Sequence, residues 1–169
     1  MDAPARLGDR TTAASRSWAR LAVAAVALLA VLLLTALEPL RVSSGSMSPT
    51  LEAGDQVLID KISVRLRPPT QGDLVVFRDP QYHELVVKRL VAQGGQTVAI
   101  EDAVLVIDGT VRHEPQVDLS RIDSTYFGPV TVPPNAVFVM GDNRSDSIDS
   151  RTYGAIPLDE LVGRVVLTF

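Results

Sequence analysis

Apolar and polar positions follow two different rhythms along this chain, and each predicts a different kind of element. From Leu21 to Leu37 (LAVAAVALLAVLLLTAL), 17 residues pass without a charge. As a helix this run measures roughly 26 Å at about 1.5 Å per residue. That is the lower limit for crossing a hydrocarbon core of about 30 Å. Downstream the helical stripes disappear, and period-2 or continuous β-type runs take over. Candidate strands are Gln56–Asp60, Asp73–Arg78, Glu84–Ala92, Thr97–Glu101, Val104–Ile107, Thr110–Arg112, Ala136–Met140 and Val162–Phe169. Asp108-Gly109, between two of them, suits a type I′ hairpin turn. Pro68-Pro69, Gly94-Gly95 and Pro133-Pro134 punctuate the runs. Residues 113–131 read as a polar excursion with little core.

These patterns predict an all-β domain of the sandwich or barrel kind over residues 42–169, behind a single transmembrane helix over 18–38. Trp18 suits an interfacial anchor, and Arg20 can extend its head to the lipid headgroups. A cleaved signal peptide is the competing reading, but its apolar core runs about 7–15 residues and ends at a small-x-small site. Ala36-Leu37-Glu38-Pro39 is a poor site of that kind, so a retained anchor is expected. Arg6, Arg10, Arg16 and Arg20 precede the span and only Arg41 closely follows it. The positive-inside rule then places the N-terminus in the cytoplasm and residues 42–169 outside the plasma membrane. Residues 1–17 lack apolar periodicity and are expected to be a disordered tail.

Charge narrows the partners. Residues 42–169 carry 11 basic and 17 acidic side chains, a balance of −6, and no basic patch, which disfavours nucleic acid. The absence of cysteine removes disulfides, thiolate metal sites and a cysteine nucleophile. Of the 16 basic residues 14 are arginine, and only Lys61 and Lys88 are lysine.

Three stretches hold candidate chemistry. Ser46 sits in Ser43-Ser44-Gly45-Ser46-Met47-Ser48-Pro49, where a turn could project its hydroxyl. A lone loop serine is ordinarily a solvated turn residue and needs a base to react. His83 and His113 both read as exposed loop histidines. Lys88 lies mid-strand in Glu84-Leu85-Val86-Val87-Lys88-Arg89-Leu90. An arginine stays protonated, whereas a lysine in low dielectric can shed its charge. On spacing alone, an edge-strand lysine that blocks aggregation explains Lys88 equally well. Lys61, at a strand end beside Asp60, reads as a surface charge. The third stretch runs from Met140 to Arg151 (MGDNRSDSIDSR) and suggests an ion-paired loop. Its Asp142, Asp146 and Asp149 do not match the calcium-loop template, so no metal is expected.

Taken in order, these stretches resemble the bacterial type I signal peptidase family. Ser44-Gly45-Ser46-Met47-Ser48-Pro49 is similar to its nucleophile box and Val87-Lys88-Arg89 to its general-base box. Gly54-Asp55 and Gly72-Asp73 resemble its two Gly-Asp strand openings. Gly141-Asp142-Asn143-Arg144 through Ser150-Arg151 is similar to its last box. The resemblance implies a membrane serine endopeptidase that removes signal peptides from exported preproteins after small residues, with no cofactor. It implies Ser46 as nucleophile, Lys88 as neutral general base, and Ser44 with the Ser46 N–H as oxyanion hole. Ser147 would orient the lysine, while Arg89, Asp142, Asp149 and Arg151 would support the wall. Val42, Met47, Leu51, Val86 and Val87 would line pockets for small side chains of a peptide paired with the strand edges. The chain departs from the family pattern at Ser43, where Pro is usual, at Ala92–Gln96, and at Ser145-Asp146 in place of Asp-Asn. Ser46 lies nine residues beyond Leu37. Even fully extended it stays within about 30 Å of the span's end. Two rivals carry different expectations. A self-cleaving Ser-Lys regulator needs a DNA-binding domain, for which this chain offers a membrane span instead. A membrane-tethered β-domain would bind peptides without cutting them.

Overall fold

The computed structural model describes residues 10–118, 120 and 125–169, and over 10–17 and 32–35 the backbone alone. It divides into two compact units, Met1–Ala36 and Leu37–Phe169.

In the first unit, helix α1 runs from Arg10 to Ala36, 27 residues. It begins inside the stretch expected to be a disordered tail, so over residues 10–17 that expectation is corrected. Arg6 and the rest of the tail lie outside the described residues. The helix ends two residues before Glu38, because Pro39 lacks an amide hydrogen and restricts the residue before it. Every side chain from Trp18 to Val31 is exposed. Among the described residues, no helix is long and apolar enough to cross a membrane.

The second unit is mostly β. Strands β1 (Leu37–Arg41), β2 (Gln56–Asp60), β3 (Leu74–Arg78), β4 (Leu85–Gln93), β9 (Ala136–Met140), β10 (Ile156–Pro157) and β11 (Leu161–Thr168) form a seven-stranded sheet. Its order is β1-β2-β11-β3-β4-β9-β10. Strands β5 (Thr97–Glu101), β6 (Val104–Ile107), β7 (Thr110–Val111) and β8 (Phe127–Thr131) make a second sheet, ordered β7-β6-β5-β8. Every pairing is antiparallel. Short helices α2 (Ser63–Leu66) and α3 (Ser150–Tyr153) follow β2 and precede β10.

The continuous apolar runs are strands buried on both faces. In β3, Val75 and Phe77 enter a core with Leu90, Val137 and Val139, while Val76 faces a second core with Met47, Leu51 and Val87. In β9 all five residues are buried. Its Ala136, Phe138 and Met140 join Ile100, Leu105 and Ile107 in a third core that draws on both sheets. Asp108 and Gly109 both have positive φ, 52° and 72°, as a type I′ turn requires.

Three strands lie where none was expected, the two-residue β10 among them. β1 opens the β unit at Leu37, five residues ahead of the expected boundary at 42, and pairs with β2 from Leu37↔Asp60 to Arg41↔Gln56. β8 falls within the stretch read as a polar excursion and pairs with β5. Its Gly128-Pro129 is tolerated because β8 is an edge strand, where a missing donor breaks no second ladder.

Candidate active site

Ser46 is presented by the loop from Val42 to Asp55. Where β1 and β2 diverge, Val42 N–H donates to Asp55 O at 2.9 Å and Gly54 N–H to Val42 O at 2.8 Å. Inside this closed loop Leu51 N–H donates to Met47 O at 3.0 Å, one helical turn. Met47 and Leu51 are each 1% exposed and anchor that turn in the core. Burying residue 47 leaves its neighbour Ser46 at the surface of the turn. The Ser44 hydroxyl donates to Ser46 Oγ at 3.3 Å.

Lys88 arrives from β4. Its place between Val86 and Leu90, both packed in the core around Val75, leaves it only 3% exposed. Burial pushes its amine down from 10.5 to about 8, although the carboxylates of Asp149 and Asp79 push the other way. At pH 7 about a tenth of such an amine is free base, roughly 300-fold more than for a lysine with no shift.

The third wall is the loop that leaves β9. Arg89 pairs with Met140 across the ladder, so the chain beyond Met140 emerges beside Lys88. Lys88 Nζ donates to Ser147 Oγ at 3.0 Å, and Ser147 Oγ donates to Asp149 Oδ2 at 2.9 Å. Asp149 is fully buried and also accepts from Gly141 N–H at 3.0 Å and from Arg151 Nε at 2.9 Å. Burial alone would raise its carboxyl, but Arg151 and these N–H donors hold it below the usual value. Arg89 grips Asp142 with two bonds, Nε at 2.7 Å and Nη2 at 2.6 Å. Asp142 and Asp149 are thus committed to guanidinium groups. Asp146 is exposed.

The structure brings most of the nominated residues together. Ser44, Ser46, Val86, Lys88 and Ser147 line one hollow of about 280 Å³. Val42, Ser44, Ser46, Met47, Val86 and Val87 line an adjoining hollow of only about 10 Å³, roughly the room for one water molecule. Of the expected pocket residues Leu51 is the exception: it lines neither hollow and lies in the core with Met47. Its fourfold spacing from Met47 puts it on the buried side of the same helical turn. Lys61 pairs with Glu38 at 2.8 Å on the surface, and His83 and His113 are exposed.

Five residues had no site role in the sequence reading. Asp79, Tyr82, Glu84 and Ile148 share the larger hollow. Asn143, 8% exposed, donates from its backbone N–H to Ser46 O and from Nδ2 to Gly45 O, both at 3.1 Å. Nothing in the local sequence marked that role.

Chemically, a hydroxyl, an amine that is partly free base at neutral pH and a hydroxyl–carboxylate support share one hollow. Comparison with known proteins identifies the class. The family model described as "Signal peptidase, peptidase S26" matches residues 15–169. A probable signal peptidase I-1 of Synechocystis is 35% identical over 146 residues, covering 78% of this chain and 70% of that protein. A probable signal peptidase I-2 of Synechocystis is 34% identical, covering 76% and 61%. Signal peptidase I of Mycobacterium tuberculosis is 34% identical over 209 residues, covering 90% and 71%. The chain thus spans about two thirds of the length of these bacterial relatives. The crystal structure of a signal peptidase I from Enterococcus faecalis aligns with a TM-score of 0.53 and 28% identity, covering 59% of this chain and 98% of that one. The protein is a serine endopeptidase. It belongs to the signal peptidase family, peptidase S26.

Proposed function

We propose that this chain removes N-terminal signal peptides from exported preproteins, cutting after a small residue at Ala-x-Ala sites with a Ser46–Lys88 dyad. The observation that carries the reading is Lys88: 3% exposed, its amine lowered to about 8, bonded to Ser147 and lining the hollow that Ser46 lines. Neutral Lys88 takes the proton of Ser46 as Oγ attacks the scissile carbonyl. The Ser46 N–H and the Ser44 hydroxyl stabilise the tetrahedral oxyanion. Collapse passes the proton from Lys88 to the leaving amine and leaves the signal peptide's carbonyl esterified to Ser46. Water, deprotonated by the same amine, then releases it. Ser147 and Asp149 hold the lysine in place, and Arg89, Asp142 and Arg151 brace that support.

The narrow hollow edged by Val42, Met47, Val86 and Val87 supports the choice of substrate. At about 10 Å³ it favours a methyl side chain and opposes larger ones. The exposed apolar stretch Leu21–Val31 of α1 supports a membrane anchor, because a helix apolar on all sides needs an apolar surrounding. Arg10, Arg16 and Arg20 on its N-terminal flank support a cytoplasmic N-terminus and a catalytic unit on the outer side.

The test is cleavage of a labelled preprotein with an Ala-x-Ala site in vesicles, by wild type and by Ser46→Ala. Wild type should cut after the second alanine and Ser46→Ala should not. Cleavage by both removes Ser46 as nucleophile. Binding without cleavage by either makes the chain a peptide-binding module.

A further inference from the structure

The turn that holds Ser46 is braced by one residue from a distant part of the chain. Asn143 donates its backbone N–H to Ser46 O and its side-chain Nδ2 to Gly45 O, each at 3.1 Å. Its Oδ1 accepts from the Ser145 hydroxyl at 3.2 Å, which fixes which end of the amide faces Gly45. The strip carrying Asn143 is itself held tightly against the turn. Asp142 is gripped by Arg89, and a Cβ on Gly141 would lie 2.5 Å from Ser46 O.

The Gly45 carbonyl and the Ser46 N–H belong to one planar peptide unit and point in opposite directions. Holding the carbonyl oxygen therefore aims the N–H. That N–H has no hydrogen-bond partner among the described residues. A donor at the carbonyl also polarises the amide and strengthens its N–H as a donor. Ser48 N–H reaches the same oxygen at 3.1 Å, but it belongs to the turn and moves with it. Asn143 is the fixed reference from outside.

We infer that Asn143 is a positioning residue for the oxyanion hole: it orients the Gly45–Ser46 peptide plane so that the Ser46 N–H faces the developing oxyanion, and Ser145 holds its amide in the donating orientation. The inference rests on Ser46 being the nucleophile. Its effect falls on the transition state, since the ground-state carbonyl needs the donor less.

The experiment compares Asn143→Ala, Asn143→Asp and Ser145→Ala with wild type in full-length chain. Asp cannot donate, and its carboxylate faces the Gly45 oxygen. Both Asn143 variants should lower kcat about 10- to 100-fold, milder than outright loss of an oxyanion donor at roughly 100- to 1,000-fold. KM should stay within about twofold, and the basic limb of the pH profile should not move. Peptide boronates, which form a tetrahedral adduct on Ser46, should weaken by the same factor as kcat/KM. Affinity for uncut peptide, measured in a Ser46→Ala background, should not change. If the Asn143 variants do not fold, Ser145→Ala carries the test with an expected three- to tenfold loss in kcat and in boronate affinity. Unchanged boronate affinity, or an equal loss of ground-state peptide binding, overturns the inference. An active Ser46→Ala overturns the reading of the site instead, so the two failures are told apart.

Discussion

In the proposed dyad, the base is chosen by what one side chain can lose. Lys88 sits between apolar neighbours where a permanent cation is costly, and burial brings its amine to about 8. Below that value the amine is protonated and cannot accept a proton, so with Lys88 as the proposed base activity follows the free-base fraction. kcat/KM should therefore rise with pH, by roughly 50-fold between pH 6 and 8, and level off above. A profile flat across that range removes the lysine from the mechanism. Lys88→Arg keeps the charge and cannot deprotonate, so it should cost roughly 1,000-fold or more in kcat. Single-turnover cleavage with a folded variant measures it. This residue was visible in the sequence because the chain writes arginine almost everywhere else. Asn143 was not, because its partner Gly45 lies 98 positions away and nothing local marks the pair.

At the scale of elements, pattern located the strands with two neighbours and, of the four edge strands, only β7. β3, β4 and β9 bury both faces, so their apolar runs are continuous and stand out. β1 holds Glu38 and Pro39, and β8 holds Gly128-Pro129, which edge strands tolerate but which break the pattern. Turns divide in the same way. Asp108-Gly109 was read as a type I′ turn, yet the turn joining β5 to β6 uses Asp102 and Ala103, with φ of 47° and 71°. Alanine in that region costs about 1–2 kcal/mol, against about 0.4–1 kcal/mol of extra chain entropy that glycine brings to the unfolded state. The first effect is the larger. Ala103→Gly should therefore stabilise the β unit by about 0.5–1 kcal/mol, seen as a higher urea midpoint at unchanged slope. A lower midpoint would mean that the turn's conformation is not what limits this hairpin.

For the whole molecule, the open question is what surrounds α1, and the chain carries its own probe. Trp18 is its only tryptophan, 74% exposed and three residues ahead of the uncharged run that begins at Leu21. The catalytic unit has no tryptophan to mask it. The 27 residues of α1 span roughly 40 Å, of which Leu21–Ala36 contributes about 24 Å. A segment of that apolar length spans only with help from its flanks, namely Trp18 at the headgroup level and Arg20 extended toward it. If the helix is an anchor, the full chain should float with vesicles and resist extraction at high pH. Trp18 emission should shift to the blue, with stronger quenching by lipids brominated near the headgroup than by lipids brominated near the chain end. Quenching strongest at the chain ends would place Trp18 at the bilayer centre and overturn the proposed span. A chain that stays in solution, with Trp18 emission unchanged by lipid, would remove the anchor altogether. In that second case a preprotein in vesicles and a free peptide with the same Ala-x-Ala site should be cut at similar kcat/KM. Confinement to the membrane instead predicts a large preference for the preprotein, because two partners held in one surface meet at a raised effective concentration.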